Sequence, residues 1–229
     1  MTKDDDDDFL STPQPTTAGL MFPPRSTQST RSFTLALLPA EDRWRQIISA
    51  SQHERDTCLL TLADPNLWNL HDQPKPVNYV DFDGRQRTHR FDYLAVYRDG
   101  TKCGLAVKPE ERAIKLNFRQ TLIAIRRDLP KGFADKVFLV TERNRHPIEV
   151  QNAMLLNFFR RCIDAEADAL IADQISAVSE ETSIFDLVKP TGLRGRGYRA
   201  AFRAIYAGLL QANTRERITI NSIVAPRKD

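Results

Sequence analysis

Long apolar runs are missing from this 229-residue chain: no uninterrupted stretch approaches the ~18 apolar residues of a membrane-crossing helix. No basic start followed by an apolar centre suggests an export signal, and the expectation is a soluble, cytoplasmic protein without membrane contact. Cysteine is scarce. Cys58, Cys103 and Cys162 stand far apart with no CxxC, which argues against a disulfide framework and a zinc ribbon and leaves buried free thiols as the reading. Histidine is equally sparse, and His53, His71, His89 and His146 have no ligand-cluster spacing. Nine glycines in 229 residues exclude a low-complexity chain, and no internal repeat is present.

Charge is abundant but uneven. The formal net charge is +3, yet Asp4 to Asp8 form an unbroken acidic run after Lys3. From Lys189 onward nine Lys and Arg face only Glu216 and Asp229. A concentrated basic segment gains free energy from a polyanion by releasing its counterions, so nucleic acid is the natural partner class; solvated helix faces are the alternative. Residues 1–38 combine the acidic run with Pro13, Pro15, Pro23, Pro24 and many Ser and Thr, and read as a mostly disordered tail.

The remainder divides into 39–164 and 165–229. A helical pattern begins at Glu41 with Trp44, Ile47 and Ile48, breaks near Ser49–Ser51, resumes through Cys58 to Leu62 and stops at Asp64-Pro65. Strands are indicated at 77–82, 90–97 and 102–108, forming a meander closed by Asp83-Gly84 and Asp99-Gly100. Residues 110–128 read as one helix, and Val137-Phe138-Leu139-Val140 as a central parallel strand buried on both faces. A helix over 148–163 should pack Met154, Leu155, Phe158 and Phe159. Residues 166–188 read as helix with a break near 179–183. They are followed by a glycine-rich basic turn at 191–197, a helix over 198–211 and a strand over 217–223, a winged-helix-like layout.

The chemistry concentrates between Leu70 and Lys108. Asp92 precedes one strand and Lys108 ends the next, so a tight turn lays the Asp and the Lys at the same end of a strand pair. His89, an odd number of residues from Asp92, should face away from it as a surface group. A metal-dependent nuclease needs this convergence of carboxylate and lysine to bind a divalent cation and steady the nucleophile. An ordinary exposed Asp/Lys pair has the same spacing. Ser51-Gln52-His53-Glu54 is likewise both a site candidate and a Ser-x-x-Glu capping box.

The ordered set Ser51–Asp56, Asp64-Pro65, Gln73-Pro74, Phe91-Asp92-Tyr93, Ala106-Val107-Lys108, Val140-Thr141-Glu142 and Asn152 resembles the N-terminal catalytic domain of TnsA-like endonucleases. These belong to the PD-(D/E)XK superfamily and are subunits of heteromeric transposases. The resemblance covers roughly residues 40–165. It implies an α/β fold: a restriction-endonuclease-like mixed sheet flanked by helices, followed by a small C-terminal winged-helix-like unit. It implies Glu54, Asp92 and Lys108 as catalytic residues, and Mg²⁺ (or Mn²⁺) held by Asp92, Glu54 and the Val107 carbonyl. Apart from the resemblance, Gln73 is a candidate accessory residue near the site or a polar strand cap, and Arg194, Arg196 and Arg199, beside Gly192, Gly195 and Gly197, are DNA-contact candidates or part of a solvated turn. Implied partners are double-stranded DNA at transposon ends, a DDE-type transposase subunit and an ATPase regulator. Two positions depart from the pattern: Phe91 stands where the family has Pro, and Ala106 where it often has Glu or another polar ligand. A catalytically degenerate nuclease fold acting in DNA binding and assembly, or a stand-alone restriction or repair nuclease, are the rival readings.

Overall fold

A computed structural model describes residues 12–18 and 31–227. The acidic run lies outside the described residues. The described chain is mixed α/β and divides into two compact units, one containing Asn66–Asn144 with the described residues up to Cys58, the other Leu59–Pro65 with Arg145 onward. The division thus falls near 145 rather than 164, because the helix expected at 148–163 packs with the C-terminal helices.

The first unit opens with two strands, β1 (Ser32–Ala36) and β2 (Arg45–Ser49), paired antiparallel from Ser32↔Ser49 to Ala36↔Arg45. Both correct the sequence reading. β1 falls inside the expected tail, and β2 holds the Ile47 and Ile48 assigned to a helix: a β-branched pair on a buried strand wins over the helical spacing of Trp44 and Ile47. Helix α1 (Gln52–Leu62) follows the expected break, with Ser51 accepting from the Glu54 N–H at 3.2 Å.

The main sheet contains β3 (Leu67–Asp72), β6 (Tyr93–Tyr97), β7 (Lys102–Val107) and β8 (Lys136–Val140) in that order, antiparallel except for the parallel β7–β8 pair. Strand β3 has no clear period-2 signal in sequence, yet it occupies one edge. The expected meander is split: β4 (Val77–Val80) pairs instead with β5 (Gln86–His89) across the Asp83-Gly84 turn, where Gly84 takes a φ of 75°. β8 is parallel as expected, but it is an edge strand, not a central one, and Phe138 is exposed. The single helix expected over 110–128 is two, α2 (Glu110–Lys115) and α3 (Phe118–Arg127), broken by Asn117 at φ 44°. Asn tolerates this left-handed conformation better than any other non-glycine. One apolar cluster joins Val77, Phe91, Ala106, Ala113, Phe118 and Ile125.

The second unit holds α4 (Pro147–Phe159), α5 (Ala165–Ser176), α6 (Ile184–Val188) and α7 (Gly195–Tyr206). Its three-stranded antiparallel sheet runs β10 (Leu210–Ala212), β11 (Ile223–Pro226), β9 (Thr182–Ser183). The last strand therefore starts where the expected one ends, and Gly195 and Gly197 belong to a helix rather than to a turn. In α4 the buried face is Asn152, Ala153, Leu156 and Asn157, while Met154 and Phe158 are exposed against expectation. Cys162 is also exposed, whereas Cys58 and Cys103 are buried thiols. Asn152 is a staple: its Nδ2 donates to the Thr214 and Glu216 carbonyls at 2.9 and 2.7 Å, and its Oδ1 accepts from Ile218 N at 3.1 Å. Three bonds satisfy a buried amide and fix an irregular loop.

Small residues set the closeness of α7 to its neighbours. A Cβ built on Gly197 would stand 2.7 Å from Val188 Cγ1 and 3.3 Å from Leu193 Cβ. Gly197→Ala is therefore expected to lower stability by about 1–3 kcal/mol despite alanine's better helix propensity, which thermal unfolding would read; an unchanged or raised Tm would show that α6 yields freely.

Candidate active site

Strand β6 begins one residue after Asp92, whose N–H donates to the Leu105 carbonyl at 3.0 Å and whose carbonyl accepts from Gln73 N at 2.8 Å. The Asp92 backbone thus continues the ladder on both sides, joining β3 and β7. Its carboxylate turns to the end of β7 and accepts from Val107 N at 2.6 Å. Lys108, the next residue, donates its N–H to the Val140 carbonyl at 3.0 Å, extending the β7–β8 pair past the last regular residue. Antiparallel pairing of Tyr93 with Leu105 therefore brings Asp92 and Lys108 to one end of the sheet.

Glu54 reaches the same place from α1. Its carboxylate closes a capping box, accepting from Ala50 N at 2.8 Å and from Ser51 Oγ at 3.0 Å, yet it lies close enough to Asp92 to bias that residue's proton affinity. The cap and the site are the same side chain. Tyr93 ties the two elements: its hydroxyl, within 2.8 Å of Ser49 Oγ, also lies 3.3 Å from the Glu54 carbonyl. Burial keeps the phenol protonated and hence a donor. Neither Ser49 nor Tyr93 carried a sequence signal beyond adjacency to a break and to Asp92.

The electrostatics follow from this crowding. Burial first, and the Glu54 charge second, push the Asp92 carboxyl up to about 7, while the Val107 N–H and Lys108 pull the other way. Two carboxylates competing for one desolvated space favour a cation between them. Lys108 Nζ lies 4.6 Å from the centre of the Phe118 ring, a cation–π contact that holds its ammonium at the edge of the apolar cluster.

His89 corrects the sequence reading. It is half-buried, edge-on to Phe91 at 4.7 Å and 5.5 Å from Phe118, and burial together with Lys108 pushes it down to about 4. The odd-even argument fails because β5 ends at His89 and a new strand starts at Tyr93. Ala106 is also placed differently: it is completely buried within the Phe91 and Phe118 cluster instead of facing an open ligand position. Gln73 does lie beside Asp92, strained at φ 41°, and its buried Oε1 has no hydrogen-bond partner among the described residues. Glu110 turns toward Arg119 (3.5 Å) and Arg143 (4.0 Å).

In the second unit Arg196 is taken up by carboxylates. It bonds Asp164 at 2.8 and 2.9 Å and also pairs with Glu166, which fastens α7 to the start of α5 and holds the Asp164 carboxyl well below its usual range. Arg194, exposed, and Arg199, half-buried, form no ion pair among the described residues. Arg196 is thus committed to the fold.

As to metal, no group of three or more His, Cys, Asp and Glu side chains among the described residues is arranged to hold an ion. The available set is two carboxylates and backbone oxygen. That donor set fits Mg²⁺, a hard cation that keeps several waters and takes one or two protein carboxylates. No helix among the described residues is long and apolar enough to cross a membrane. No protein-family model matches this sequence, and no curated protein matches it.

Proposed function

We propose that this chain is a Mg²⁺-dependent DNA endonuclease subunit of a heteromeric transposase, cutting one strand at transposon ends. The observation that carries the reading is the convergence of Asp92, Glu54 and Lys108 at one end of a mixed sheet, with the Asp92 carboxyl raised by burial and by Glu54. The order and directions of β3, β6, β7 and β8 support a restriction-endonuclease-like core. Helices α5, α6 and α7 with the small antiparallel sheet of β9, β10 and β11 support a winged-helix-like second unit.

In this reading Asp92 and Glu54 would hold the ion, and the chemistry it would supply is a lowered pKa for bound water and neutralisation of charge on the scissile phosphate. Lys108 presents its ammonium to the phosphate, held in place by the Phe118 ring. Val107 N–H orients the Asp92 carboxylate, and Tyr93 keeps α1 against β6 so that Glu54 stays beside it. Arg194 and Arg199 would meet DNA phosphates. Partners on this reading are duplex DNA, a DDE-type transposase subunit and an ATPase regulator, in the cytoplasm.

A second reading has its own observation. Ala106 offers no ligand and Glu54 is engaged in its cap, which favours a degenerate nuclease fold that binds DNA and assembles with partners. Calorimetric titration with Mg²⁺ and Mn²⁺ separates the two. Wild type is expected to bind and Asp92→Ala to lose binding. Glu54→Gln, which keeps a capping-box side chain but removes the charge, should weaken binding by about tenfold, or roughly 1.4 kcal/mol. Absence of binding by wild type, even with duplex DNA present, would sink the catalytic reading.

A further inference from the structure

The run Asp4–Asp8, followed by Phe9 and Leu10, has no role in the proposed site. The chain just after it is anchored. Gln14 bridges to Arg45, donating its N–H to the Trp44 carbonyl at 2.7 Å and accepting from Gln46 N at 3.0 Å. Thr17 donates to the Asp72 carboxylate from both N (3.1 Å) and Oγ1 (2.6 Å), and Thr16 Oγ1 donates to it as well. Asp72 is fully buried at the end of β3 and also takes the Ile48 N–H at 2.9 Å, so this is a built anchorage. The next residue, Gln73, bonds the Asp92 backbone. Asp8 precedes Thr16 by eight residues, at most ~29 Å of extended chain. From β3 to β7 is two strand spacings, about 10 Å. A chain of that length spans from Thr16 as far as Lys108.

What surrounds Lys108 is basic and apolar together. From Lys108 to Asp128 six basic residues (Lys108, Arg112, Lys115, Arg119, Arg126, Arg127) stand against Glu110, Glu111 and Asp128, the last of which takes up Arg127. Glu110 is buried and lies near both Arg119 and Arg143, whose side chains are 69% and 75% exposed. Glu142 is occupied by the Glu110 N–H at 3.0 Å. Along the same segment Ile114, Leu116 and Ile123 are 64%, 50% and 56% exposed. A phosphate backbone has nothing to offer three exposed aliphatic side chains. Five carboxylates followed by Phe-Leu complement both halves of the surface.

We propose that the α2–α3 face is an acidic-peptide site filled in cis by Asp4–Leu10. Where the nuclease reading holds, the same cations receive DNA phosphates, so the run and the duplex compete; only this consequence rests on that reading.

Zero-length carbodiimide cross-linking of the full chain, mapped by mass spectrometry, tests it directly. Amide bonds from Asp4–Asp8 should concentrate on Lys115 and Lys108, independently of protein concentration. They should fall at least about fivefold at 0.5 M salt, where screening shortens the range of charge. Arg112→Glu with Arg119→Glu, both at exposed positions, should produce a similar loss. Cross-links spread equally to Lys131 or Lys189, or absent from Lys115 and Lys108, would overturn the proposal. Anisotropy with a labelled duplex forms the second arm: replacing Asp4–Asp8 with Asn should tighten duplex binding about tenfold at low salt. If the cross-links stand while neither protein binds duplex, the nuclease reading fails and the peptide site remains; an unchanged affinity in a protein that does bind duplex sinks the competition.

Discussion

Ala106→Glu is expected to destabilise the protein by on the order of 3–5 kcal/mol and to leave its Mg²⁺ affinity no better than that of wild type. On the nuclease reading proposed above the opposite would be expected, since a carboxylate two residues before the lysine would be an ordinary ligand. In this chain the position is fully buried beside Phe91 and Phe118. The Phe91 ring lies so close to β7 that a Cβ on Gly104 would meet it at 3.1 Å. Phe91 and Ala106, the two positions that depart from that pattern, thus belong to one apolar cluster. A carboxylate introduced there must either bury its charge or expel the ring. Phe91→Ala should therefore cost less in the Ala106→Glu background than in wild type, a non-additivity that a double-mutant cycle measures. If Ala106→Glu melts like wild type and binds Mg²⁺ more tightly, position 106 faces the site and the cluster argument is wrong.

Much of this site was legible because it depends on strand termini. Asp92 and Lys108 flank a hairpin whose Asp99-Gly100 turn is unambiguous, with Gly100 at φ 84°; once β6 and β7 pair, the two residues must share an end. Glu54 was legible as a cap, which the structure bears out, and its charge also acts on Asp92. What failed was mostly set by non-local pairing. Residues 45–49 become a strand only because β1 is present to pair with them, and a helical spacing of apolar residues carries no information about that partner. His89 and Asp92 looked like one strand until the chain turned between β5 and β6. Val137–Val140 read as doubly buried because its composition is apolar, yet it closes an edge with Phe138 exposed. The Asp72 anchorage for Thr16 and Thr17 was illegible for the same reason, since 55 residues separate donor from acceptor in the case of Thr17.

Asp92→Asn is expected to stabilise the metal-free protein above neutral pH by roughly 2 kcal/mol. The full shift from 3.8 to about 7 has an upper limit near 4 kcal/mol at ~1.4 kcal/mol per pH unit, and relaxation of the charged site reduces it. The sign follows from proton counts. Below about pH 4 the carboxyl is protonated folded and unfolded, and contributes no difference. Between about pH 4 and 7 the unfolded chain releases its proton while the folded one retains it, so wild-type stability falls as pH rises through that window and then levels off. Asn keeps the acceptor for Val107 N–H but never carries the charge that Glu54 and burial oppose. The Tm difference between Asp92→Asn and wild type should accordingly be small at pH 4, open up across this window and be fully developed at pH 8. Saturating Mg²⁺ should then reverse the order at pH 8, because the ion repays in wild type the cost of the two carboxylates and has only Glu54 to hold in the variant. Equal melting of the two proteins at pH 8 would mean that Asp92 is not under electrostatic strain. The case for a cation between Asp92 and Glu54 would lose its physical basis.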